Sequence, residues 1–131
     1  MSNDSQEKTR YSDAELQEFD NLIVEKLEKA KDQLKFYIDQ ISESGQSSDS
    51  KNKGLDDGTS TAEAERLHTL AARQRKLIQH LENARLRIQN KVYGVCRETG
   101  KLISKDRLKA VPHATLSISA KEKQKSIRKR R

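Results

Sequence analysis

The sequence predicts a predominantly all-α protein: a long antiparallel helical hairpin of coiled-coil type, a small finger-like lobe and a short C-terminal helix. Two apolar stripes with seven-residue spacing point to the hairpin, and a polar stretch between them supplies its bend. The third observation is a change in character after Asn90, where Gly94, Gly100 and the single proline, Pro112, punctuate a compact segment.

The first helix is expected to start near Asp13. Ser12 followed by Glu15 is a capping-box pattern, in which each side chain satisfies a backbone amide that the first helical turn leaves without a partner. Leu16, Ile23, Ala30 and Tyr37 then recur every seven residues, with Leu27, Leu34 and Ile41 offset by four and Phe19 filling in near the start. No Gly or Pro interrupts residues 13–44, which predicts one helix about 45 Å long at a rise of about 1.5 Å per residue.

The stretch SESGQSSDSKNKGLDDGTST offers almost nothing to bury and reads as the tip loop, at about residues 43–60. A second helix is expected to begin near Ser60, with Glu63 three residues on. It carries Leu67, Leu81 and Ile88 in one series and Leu70, Leu77 and Ala84 in the other. Gln74 falls on this seam and is read as an imperfection in it. Two helices of similar length, each with one narrow apolar stripe, bury those stripes best by folding back on each other.

The expected organisation is a disordered N-terminus over 1–11, the hairpin over 12–91, the lobe over 92–120 and a basic helix or tail over 121–131. Leu102, Ile103, Leu108, Val111, Leu116 and Ile118 are the expected core of the lobe, and Ser119 with Glu122 the expected cap of the last helix.

With 131 residues, 36% charged and 4% aromatic, the chain is too short for a large multi-domain enzyme and too poor in bulky apolar groups for a large core. The net charge of +7 is concentrated at one end: residues 121–131 hold seven Lys or Arg against Glu122. Such a run either complements the negative end of a helix dipole or contacts phosphates, and the first reading is favoured. His68, His80 and His113 form no triad or metal spacing with Cys96, and no phosphate-cradling glycine loop is present, so no enzyme is predicted. One cysteine excludes an internal disulfide framework. No apolar run suits a membrane span or a secretion signal, and a monomer in the cytoplasm is expected.

Within the lobe, Tyr93-Gly94-x-Cys96, then Gly100-x-x-Ile103, then Arg107-Leu108-x-Ala110-x-Pro112-x-Ala114-Thr115-Leu116 resembles the finger of the DksA/TraR family. The resemblance runs back through AARQRKLIQHLENARLRI and covers most of residues 12–122. It implies a regulator whose hairpin enters the secondary channel of RNA polymerase and presents an acidic tip near the catalytic centre, without sequence-specific DNA contact. The family tip motif D-x-x-D-x-A falls here on Lys53, Asp56 and Gly58, so Asp56 is the expected polymerase-facing carboxylate, with Asp57 as partial substitute.

The family finger holds zinc with four cysteines. The corresponding positions here are Cys96, Thr99, Ser117 and Ala120, so a four-thiolate site cannot form and no zinc cofactor is expected; His113 is an extra donor outside those positions. The resemblance also implies the alarmone ppGpp as a shared effector. Arg73 and Lys121 keep a basic residue for it, whereas His80 and Val111 replace expected basic ones. The alternatives are a coiled-coil adaptor and a protein that binds nucleic acid through its basic tail.

Overall fold

The computed structural model describes residues 9–46 and 57–129. These form four helices: α1 (Asp13–Gln46), α2 (Asp57–Gln89), α3 (Lys105–Ala110) and α4 (Ile118–Lys129). The fold is all-α as expected. Among the described residues the nearest approach to a sheet is one isolated antiparallel bridge between Val95 and Leu102.

The start of α1 is capped as its sequence requires. The Ser12 amide donates to Glu15 Oε1 at 2.9 Å and the Glu15 amide to Ser12 Oγ at 3.1 Å, a reciprocal arrangement that contributes about 1 kcal/mol. Asp57, not Ser60, begins α2, so Ser60 lies inside the helix. The start of α4 also differs from expectation: Ser117 Oγ accepts the Ala120 amide at 3.2 Å, so Ser117 caps the helix and Ser119 lies in its first turn. A third helix, α3, was not foreseen. Ser104 caps it by accepting the Arg107 amide, and the Val111 amide closes it on Arg107 O.

The chain divides into two compact units. One comprises residues 26–80 and therefore a segment of each long helix. Leu27, Ala30, Leu67 and Ala71 are buried in it, with Leu34, Tyr37, Ile41, Leu70 and Leu77 half-buried. All but Ala71 belong to the two predicted stripes. Gln74 is also half-buried, as its place on the seam requires.

The other unit joins residues 1–25 to 81–131. Here Leu16, Phe19 and Ile23 of α1 are buried together with Leu81 and Ala84 of α2. The antiparallel pairing of these helix ends is pinned by Arg85, which donates to both carboxylate oxygens of Asp20 at 2.8 and 3.2 Å, and by Lys91, 2.7 Å from Asp13. Both pairs are reached by solvent, which screens them, so they set the register of the pairing more than they stabilise it.

An aromatic chain continues this core into the lobe: Tyr11 meets Phe19 edge-on at 5.4 Å, and Phe19 meets Tyr93 at 5.2 Å. Tyr11 was expected in a disordered N-terminus. Instead it is buried, because its ring packs against this cluster and its hydroxyl donates to Ile103 O. Tyr93 is fully buried and donates to Pro112 O at 2.7 Å, so neither phenol enters the core without a partner.

Of the predicted lobe core, Ile103 and Leu108 are buried and Leu102, Val111 and Leu116 half-buried, whereas Ile118 is 53% exposed. As the first residue of α4, Ile118 turns outward while Ala120 turns in, and Tyr93, Cys96 and Ala114 complete the core.

Candidate functional site

Cys96 lies at the start of a tight turn. Its amide donates to Lys101 O and its carbonyl accepts the Gly100 amide, both at 2.8 Å, which closes the backbone around the sulfur. Gly100 supplies the left-handed residue this turn needs, at φ 75°. Opposite the turn, the Arg97 amide donates to Thr115 O at 3.0 Å and ties it to the segment leading into α4.

Three of the four positions that the resemblance sets against zinc ligands, Cys96, Thr99 and Ser117, meet around that sulfur. The Ser117 amide donates to Cys96 Sγ at 3.3 Å, and the Cys96 thiol lies 3.7 Å from Ser117 Oγ. The Thr99 hydroxyl and the amides of Glu98 and Thr99 lie on the same side and favour the thiolate form of Cys96. Ala120, the fourth position, contributes its amide to Ser117 Oγ and buries its methyl group. Thr99 Oγ1 also accepts the Lys101 amide at 3.2 Å, and Ser117 Oγ lies 3.3 Å from Ser119 Oγ. Hydrogen bonds among these side chains and amides thus link the two halves of the finger.

Burial raises the Cys96 pKa, but the hydrogen bonds from Thr99, Ser117 and Glu98 outweigh it and bring the thiol down to about 6.

The remaining predicted site residues are dispersed. Asp56 lies outside the described residues, and Asp57 is the first residue of α2. Arg73 is exposed on α2 within the unit of residues 26–80, and Lys121 is exposed on α4 within the other. Among the described residues no helix is long and apolar enough to cross a membrane. What sequence reasoning missed at this site is the part played by backbone amides, which no side-chain pattern announces.

The match to a known protein family falls on this lobe. Residues 91–125 match the family model described as the prokaryotic dksA/traR C4-type zinc finger. The chain is 47% identical over 51 residues, 39% of its length, to the RNA polymerase-binding transcription factor DksA of two Caulobacter vibrioides strains. It is 32% identical over 69 residues, 53% of its length, to general stress protein 16O of Bacillus subtilis. These matches span 36% and 42% of the relatives' own lengths. The similarity is broader in three dimensions: the structure of the transcription factor DksA2 from Pseudomonas aeruginosa superposes with a TM-score of 0.81, covering 90% of this chain and 88% of that one at 26% identity.

The matched finger is a four-cysteine zinc type, and the donors here do not fit that metal. The four positions supply one thiol, two hydroxyls and a methyl group, against the four soft donors such a site requires. Among the described residues no group of three or more His, Cys, Asp or Glu could hold a metal ion.

Proposed function

We propose, since this chain belongs to the DksA/TraR family, that it binds RNA polymerase and regulates transcription without catalysing a reaction of its own. The observation that carries the reading is the likeness to DksA2 over 90% of the chain, which includes both long helices and the lobe. The curated relatives point the same way, two of them being named RNA polymerase-binding transcription factors. A cytoplasmic monomer fits such a role.

In this proposal the hairpin enters the secondary channel of the polymerase and brings Asp56 and Asp57 towards the catalytic centre, where initiation is modulated. A carboxylate suits that task because it accepts several hydrogen bonds and perturbs the field around a nearby metal ion. The alarmone ppGpp is proposed as an effector held between regulator and polymerase, with Arg73 and Lys121 as its phosphate partners.

An Asp56→Asn, Asp57→Asn double variant tests the tip. Each substitution keeps the shape of the side chain and removes its charge. Retained polymerase binding with lost promoter regulation is the expected result. Equal loss of both, or no change in either, overturns the tip mechanism. Running the same assay with and without ppGpp on Arg73→Ala and Lys121→Ala variants tests the effector site, where a response equal to that of the parent chain overturns the assignment.

A further inference from the structure

The cations in the unit of residues 1–25 and 81–131 differ in their partners, and Arg97, Lys101 and Lys109 of the lobe are exposed and enter no ion pair among the described residues. Along α1, α2 and the start of α3, Arg85 is paired with Asp20, Lys91 with Asp13 and Lys105 with Glu15. On α4, by contrast, Lys121, Lys123 and Lys125 are all exposed and enter no ion pair among the described residues. Glu98, in the turn after Cys96, is bonded by Gln124 at 3.4 Å. With Glu122 as the one acid on α4, positive charge is in excess along a helix whose backbone is regular to Lys129.

Two of the three lysines share a side of the helix, and Lys123 lies at the edge of the side that carries Ala120 and Gln124. Ala120 is buried and Gln124 half-buried, so these two, one turn apart, mark the side that faces the lobe. Lys121 and Lys125 are likewise one turn apart but rotated out of that side, and the sequence of the helix goes on to Arg128 and Lys129. From position 121 to 129 the backbone rises about 12 Å. Duplex DNA carries one charge per roughly 1.7 Å of its axis, so such a run lies alongside about seven phosphates.

We infer that α4 is a contact surface for the phosphodiester backbone of duplex DNA, independent of base sequence. This goes beyond the function proposed above and does not rest on it. The two large apolar residues of α4 argue against a lipid surface as its partner. Ile127 lines a hollow of about 270 Å³ together with Glu98, Thr99, Ala120, Lys123 and Gln124, which leaves Ile118 isolated on the outer side. A helix that lies on a membrane needs a continuous apolar face.

The test uses the full chain and a labelled duplex of arbitrary sequence, with no polymerase or ppGpp present, and follows binding by fluorescence anisotropy across a salt series. Each phosphate neutralised contributes about −0.9 to the slope of log affinity against log salt concentration. A Lys121→Gln, Lys123→Gln, Lys125→Gln variant is expected to flatten that slope by about 2.7, and the corresponding triple Lys→Arg variant to restore it. Circular dichroism confirms that helix content is unchanged. An unaltered slope in the glutamine variant, failure of the arginine variant to restore it, or equal or tighter binding to phosphatidylglycerol vesicles would overturn the inference.

Discussion

The two compact units are built from the same pair of long helices and are held together differently. In residues 26–80 the buried groups are aliphatic, and Phe36, 54% exposed, is left with only its neighbour Tyr37 as a ring partner at 6.0 Å. In residues 1–25 with 81–131, three aromatic rings interlock and buried phenols bond to carbonyls far away in the sequence. Heptad patterning therefore gives a helix pair whose buried side chains are aliphatic and similar in kind. Where aromatic rings and long-range hydrogen bonds are added, each position has a partner that nothing else replaces.

The largest expected effect tests that contrast directly. Tyr93→Ala removes a ring in contact with Phe19 and the bond to Pro112 O, and is expected to cost about 4 kcal/mol in urea unfolding. Leu67→Ala in the other unit is expected to cost about 2 kcal/mol, and Phe36→Ser less than about 0.5 kcal/mol. Equal costs for Tyr93→Ala and Leu67→Ala would dissolve the distinction between the units.

Gly94→Ala comes next. A β-carbon there would sit 2.7 Å from the Tyr11 ring, and the residue adopts φ 81°, so crowding and backbone strain add. A loss of about 3 kcal/mol is expected, again from urea unfolding. In a Tyr11→Ala background, the additional cost of the glycine change should shrink, which a double-mutant cycle measures.

A further test concerns pH. The folded state holds the Cys96 pKa near 6, below its ordinary value, so its contribution to stability is fully present above the unfolded pKa and is lost as pH falls through about 6. Thermal unfolding should therefore show Tm rising between pH 6 and pH 9 more in the parent chain than in Cys96→Ser. Parallel curves would show that the sulfur does not titrate in that window.

Much of this architecture was legible because it is local or periodic. The stripes through Leu16, Ile23, Leu27, Leu67 and Leu81 follow from helix geometry alone, and the Ser12–Glu15 cap needs only residues three apart. The place of Tyr11 was not legible, since its partner Ile103 lies 92 residues away. Ser119 and Glu122 have capping-box spacing, but Ser117 is held beside Cys96 and takes the cap instead. The four former ligand positions were identifiable in the sequence through the family resemblance. That they remain linked by hydrogen bonds to backbone amides is a property of the folded turn, which side-chain identity does not encode. Asp56 lies outside the described residues, and its role rests on the functional proposal.

The contact between Tyr11 and Gly94 carries a consequence for substitution across related chains. A ring at the first position occupies the space that a side chain at the second would require, so the pair is a steric lock with one permitted arrangement. Shrinking position 11 leaves a void that an alanine at 94 fills only by bearing a disfavoured backbone angle, while enlarging 94 first expels the ring. Exchange at these sites is thus coupled: giving up the ring first forfeits its bond to Ile103 O and leaves a void, and enlarging position 94 first expels the ring, so neither site changes alone without cost.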